Sequence, residues 1–139
     1  MVLLEGNPGR RPINRNEPKP RDKTPKCPAH LDERAKEEWK ALVPILKRMR
    51  VLTEADGMML GNLCQAYSLL VKSQAKLNES GPLFKAPSGY PMANPLIAII
   101  NGCLETITKI SREFGLTPAS RTRIQVASKE NASDDVLDF

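Results

Sequence analysis

Between Leu31 and Phe114 the apolar side chains of this chain recur every three or four residues, with one interruption; outside that span the recurrence fails. Side chains three and four apart share a helix face, so the pattern predicts helices. The first begins at Leu31, with Asp32 as N-cap and Glu33 in a first turn that favours negative charge. Ala35, Trp39, Leu42, Val43 and Leu46 form its apolar face, and the single Trp reads as a core anchor. Pro44 has no N–H to donate and clashes with the preceding turn, which predicts a kink or break.

"LTEAD" at 52–56 restarts the helix through a capping box of Thr53 and Asp56. The stripe Met59, Leu60, Leu63, Cys64, Tyr67, Leu70 and Val71 carries it to about Asn78. Gly57 and Gly61 lie on one face; they either admit a closely packed neighbour or loosen the first turns, at about 1 kcal/mol each relative to Ala.

The interruption is "GPLFKAPSGYPMANP". Leu83–Ala86 and Tyr90–Ala93 flank Ser88-Gly89 and predict a small hairpin of edge strands, with a structured β-turn loop as the alternative. Asn94 as cap and Pro95 at the first helical position then open a second long helix. Its stripe is Leu96, Ile99, Ile100, Cys103, Leu104, Ile107, Ile110 and Phe114, closed by a left-handed Gly115. Thr117 and Pro118 start one more short helix.

The expected fold is therefore all-α: two long helices with short flanking helices and a β-hairpin-like crossover. Two such helices with broad apolar stripes make a thin monomer with few aromatic residues, so self-association is expected. The chain divides into an arm over 1–30, a helical domain over 31–128 and a tail over 129–139.

Charge sharpens that division. The 139 residues carry +5 overall, but residues 1–26 hold seven Lys/Arg against Glu5, Glu17 and Asp22. Within that arm only Ile13 is a sizeable apolar side chain after Gly6, so it cannot bury enough surface to order itself. The tail is acidic, with Lys129 against Glu130, Asp134, Asp135 and Asp138. A basic front and an acidic end predict two partners, one of them polyanionic. Arg10, Arg11, Arg15, Lys19, Arg21, Lys23 and Lys26 are the candidate contacts to that polyanion, with Arg112, Arg121 and Arg123 as a second cluster. Val136, Leu137 and Phe139 are apolar residues in a charged tail, the pattern of a peptide that orders on a partner.

Candidate chemistry adds little. Cys27, Cys64 and Cys103 are odd in number and widely spaced, which argues against a secreted disulfide framework and for reduced thiols. The run Met1–Leu4 is too short for a signal peptide, and no segment reaches the roughly 20 apolar residues of a membrane span. His30 has no partner for nucleophilic catalysis. Cys27 and His30 are spaced C-x-x-H, but a second close ligand pair for zinc is lacking. No strand precedes "GNPG" and no Gly-Lys-Ser/Thr follows it, so it is no phosphate loop. Neither an enzyme nor a cofactor is expected.

Several segments occur together, and in order, in one family. "GNPGRRP" at 6–12, "CPAHLDERAKEEWKAL" at 27–42, "LTEAD" at 52–56, "ANP" at 93–95 and "REFGLTPASRTRI" at 112–124 resemble the helical small terminase subunits of tailed bacteriophages and their prophages. The resemblance implies a homo-oligomeric ring in the cytoplasm of the bacterial host. It implies binding of double-stranded viral DNA and recruitment of a large terminase subunit that holds the packaging ATPase and nuclease. Two readings from other classes stand beside it. One is a stand-alone helix-turn-helix regulator built from residues 32–70. The other is a structural helical assembly protein without nucleic-acid contact.

Overall fold

A computed structural model of the chain describes residue 21 and residues 23–123. It is mostly helical, with three helices, α1 (Glu33–Arg48), α2 (Gly57–Ser80) and α3 (Leu96–Glu113), and a two-stranded antiparallel ribbon of β1 (Leu83–Lys85) and β2 (Pro91–Ala93) between α2 and α3. A short helical segment follows at 118–123.

The caps expected from the sequence form. The Asp32 carboxylate accepts the Ala35 N–H at 2.9 Å and starts α1. Thr53 and Asp56 make the reciprocal box, the Asp56 carboxylate taking the Thr53 N–H at 2.7 Å, and a 3-10 turn over Glu54–Asp56 leads into α2. The Asn94 side chain accepts the Leu96 N–H at 3.1 Å, and Pro95 has helical dihedrals. Gly115, at φ 71°, ends α3 in a Schellman turn: its N–H donates to the Arg112 carbonyl and that of Leu116 to the Ser111 carbonyl. The Thr117 hydroxyl accepts from the Ser120 N–H at the start of the last segment.

Of the kink or break expected at Pro44 the break does not occur, because α1 runs on to Arg48. Trp39 and Leu46 are buried on either side of the proline and hold both halves of the helix to one core. Lys47 and Arg48 also suit the negative end of the helix dipole. The last turn then closes as a second Schellman turn, with Arg50 N–H to the Lys47 carbonyl and Val51 N–H to the Leu46 carbonyl. Here the left-handed position is held by Arg50, at φ 57°, rather than by glycine.

The hairpin forms in the register Leu83↔Ala93, Phe84↔Met92 and Lys85↔Pro91, with Gly89 at φ 82° in the turn. All six strand residues are exposed. At the ribbon's base Asn94 is buried and donates to Ser80 and to the Gly81 carbonyl, which ties the end of α2 to the start of α3. The two long helices therefore run antiparallel.

One apolar cluster holds the helices together, drawing Leu31, Ala35, Trp39 and Leu46 from α1 and its cap, Leu52 from the corner, Leu60, Leu63 and Cys64 from α2, and Ile110 and Phe114 from the end of α3. Trp39 is the core anchor expected. The stripes of α2 and α3 are only partly used, since Met59, Ile99 and Leu104 stay exposed, and Leu69, outside the α2 stripe, is exposed as well.

Candidate nucleic-acid interface

What crosses the two glycines decides their role. A Cβ on Gly57 would sit 2.9 Å from the Pro25 Cβ, and one on Gly61 would sit 3.0 Å from the Pro28 Cγ. The glycines admit a close neighbour, and that neighbour is the foot of the basic arm. Backbone bonds add to this hold, with Glu54 N–H donating to the Arg21 carbonyl at 3.2 Å. A shallow groove of about 470 Å³ lies along the seam, lined by Lys23, Lys26, His30, Glu54, Gly57 and Met58 among others.

The fold draws further cations to the same place. Leu46, Leu52, Leu60, Ile110 and Phe114 share one cluster, so the α1–α2 corner and the C-terminal end of α3 meet beside the arm's foot. That end of the hairpin presents Arg21, Lys23 and Lys26, then Lys47, Arg48 and Arg50, then Arg112, Arg121 and Arg123, all exposed. Among the described residues the acids there are Glu54, Asp56 and Glu113. Among the described residues the ion pairs within 4 Å are Lys36–Glu33, Lys72–Asp32 and Lys109–Glu105, and none draws on those nine cations.

Of the residues singled out in the sequence, Arg21, Lys23, Lys26, Arg112, Arg121 and Arg123 are thus brought to one end. Arg10, Arg11, Arg15 and Lys19, and Val136, Leu137 and Phe139, lie outside the described residues. Sequence reasoning does not single out Lys47, Arg48 and Arg50. Their signal is the string "KRMR" at 47–50, which reads as an ordinary helix end until the fold sets it beside the other two runs.

A polar site unforeseen in the sequence lies midway along α2. The Asp32 carboxylate, besides capping α1, accepts from the buried Ser68 hydroxyl at 2.7 Å, from Gln65 at 3.2 Å and from Lys72 at 2.6 Å. The Lys72 ammonium, then the Ala35 N–H and the Ser68 hydroxyl, hold this carboxyl well below the usual carboxylate range. These bonds stay within the fold and fasten α1 to α2. They leave no group aimed at a ligand.

Nor do the cysteines gather for chemistry. Cys27 is exposed, whereas Cys64 and Cys103 are buried. Burial above all, with the charges of Glu38 and Cys27 adding to it, pushes the Cys64 thiol up to about 12. Among the described residues no group of His, Cys, Asp and Glu could hold a metal ion. No helix among them is long and apolar enough to cross a membrane.

The family model for the phage terminase small subunit matches residues 35–131, more than half of the chain. The chain belongs to that family. Its role is accordingly in phage DNA packaging. No curated protein and no solved structure matches. The matched span starts within α1 and takes in α2, the ribbon, α3 and the basic segment with Arg121 and Arg123.

Proposed function

We propose that this chain is the non-catalytic, DNA-engaging subunit of a phage packaging motor, working as a closed homo-oligomer. It binds duplex viral DNA through the basic end of the hairpin and the leading arm, and brings a large subunit with ATPase and nuclease activity to that DNA. The observation that carries the reading is the gathering of three basic runs, far apart in sequence, at one end of a terminase small-subunit fold. Each neutralised phosphate releases counterions, so even modest contacts contribute affinity at moderate salt. One subunit binds weakly on these terms. A ring presents many copies at high effective concentration and multiplies the effect.

Ring formation rests on Met59, Leu69, Ile99 and Leu104, which face solvent along α2 and α3. Leu104→Asp should dissociate the oligomer without unfolding the subunit, whereas Ile100→Asp should unfold it, because Ile100 is buried and an unpaired buried charge is costly. Recruitment of the large subunit falls to the tail with Val136, Leu137 and Phe139. Deleting residues 131–139 should weaken that association and leave the oligomer and DNA binding intact.

The helix-turn-helix alternative has little support. A recognition helix needs polar and basic residues in its first turns. The first cation of α2 is Lys72, and it is bonded to Asp32.

The test is DNA affinity as a function of salt. Replacing Lys47, Arg48 and Arg50 by Ala should lower affinity and flatten the slope of log affinity against log salt by about 0.9 for each phosphate no longer neutralised. Removing residues 1–20 should do the same while leaving Pro25 and Pro28 on α2. If the arm and the basic end meet phosphate alone, the loss is equal for viral and unrelated duplexes. Full affinity in both variants would take DNA away from this end.

A further inference from the structure

At the opposite end of the hairpin the chain loses its charge. From Gly81 to Leu104 only Lys85 is charged at neutral pH, in a protein where 27% of residues are Asp, Glu, Lys or Arg. This span holds the ribbon and the first half of α3. Cross-strand pairing sets Phe84 beside Met92 on one face of the ribbon. Phe84 is 40% exposed, Met92 46%, Leu83 63% and Tyr90 71%. A two-stranded ribbon is marginal by itself in water, and one that shows apolar side chains on an exposed surface needs something to cover it.

The same chain carries a second uncovered surface of matching chemistry. Between α2 and α3 lies a groove of about 500 Å³ whose walls include Ala66, Leu69, Ile99, Gly102 and Cys103, with no charged residue among its lining. Gly102 opens it, since a Cβ there would meet nothing within 4 Å. The ribbon does not fill its own groove, because every strand residue is exposed.

We infer that the ribbon of one copy seats in the α2–α3 groove of the next, so that ribbon-in-groove is the contact that closes the oligomer. This rests on the ring reading above and names the surfaces that make it. Lack of charge argues against DNA at this end, where Lys85 is the only cation between Gly81 and Leu104 to meet phosphates. Area argues for a second copy. Leu83, Phe84, Tyr90 and Met92 leave on the order of 400 Å² exposed, taking about 150–250 Å² for a whole aromatic side chain, against about 800 Å² per partner in a standard interface. The ribbon alone is half an interface, and the exposed Leu69 and Ile99 at the groove extend it. Donor and acceptor are different patches of one chain, so the contact is heterologous. Such contacts propagate head to tail and close into a ring when the rotation permits.

Complementation tests it. The double variant Phe84→Glu, Met92→Glu spoils the ribbon and keeps the groove; Gly102→Glu with Ile99→Glu spoils the groove and keeps the ribbon. All four positions are exposed, and helix content by circular dichroism checks that both proteins fold. Each variant should fall from the wild-type oligomer mass to the 15.4 kDa chain mass in sedimentation, and their equimolar mixture should reach twice that, through the one intact ribbon–groove pair. A wild-type monomer would sink the ring reading, and this inference with it. A wild-type oligomer with an equally oligomeric ribbon variant overturns the inference alone. So do two monomeric variants that fail to pair, and a ribbon variant that stays oligomeric but no longer binds the large subunit.

Discussion

The Ser68 hydroxyl, fully buried on α2, donates at 2.7 Å to the carboxylate of Asp32, which starts α1 thirty-six residues earlier. One side chain thereby nucleates a helix and fixes where along its neighbour that helix sits. Ser68→Ala removes a hydrogen bond to a charged acceptor and should cost about 1–2 kcal/mol in urea unfolding. Lys72→Met should cost much less, since the Lys72 side chain is 57% exposed and its ion pair is screened by salt. Equal losses from the two would show that the buried hydroxyl has no special part.

The same carboxylate sets a dependence on pH. Its folded pKa is depressed below the ordinary 3.8, first by Lys72, so the stability it contributes is whole above that value. That stability should drain away as pH falls below about 3.8 toward the folded value. Asp32→Asn, which has no proton to take up, should be less stable at neutral pH and should lose less on acidification from about pH 5 to about pH 2. Parallel acid titrations of the two proteins by circular dichroism would contradict the assignment.

Three glycines in helices give a matched experiment. Gly102→Ala meets nothing within 4 Å and should raise stability by about 0.5–1 kcal/mol through helix propensity. Gly57→Ala and Gly61→Ala should forfeit that gain by lifting Pro25 and Pro28 off α2. Faster trypsin cleavage after Lys26 in these two variants, but not in Gly102→Ala, is the expected readout.

Arg50 holds a left-handed backbone at φ 57° that glycine adopts without strain. Arg50→Gly should therefore stabilise the fold by about 0.5–1 kcal/mol while weakening DNA binding, because it removes one of the exposed cations. A variant both more stable and unchanged in DNA affinity would strike Arg50 from the interface.

Thiol labelling should resolve the three cysteines. Cys27 is exposed and should react with a thiol reagent at once, whereas Cys64 and Cys103 should wait for denaturant. The Cys64 thiol, pushed up to about 12 by burial, also holds almost no thiolate at neutral pH. A second fast thiol in the native protein would mean that the core opens.

Much of this molecule is written locally. Caps at Asp32, Thr53, Asn94 and Thr117, the left-handed Gly115 and the apolar stripes are legible in the sequence, because capping and helical periodicity involve residues within four positions of each other. The break allowed for at Pro44 fails for the complementary reason. The proline's local cost is real, but Trp39 and Leu46 are held by partners on α2 and α3 that no local pattern contains. Likewise "KRMR" and Gly57 with Gly61 are ambiguous strings until the chain folds back on itself. Only the antiparallel return of α3 and the crossing of Pro25 and Pro28 decide that those glycines are a seat for the arm and that three basic runs share one end. Asp32 shows the division within one residue: its cap to Ala35 spans three positions and is foreseeable, while its bond to Ser68 spans thirty-six and depends on how two helices pack.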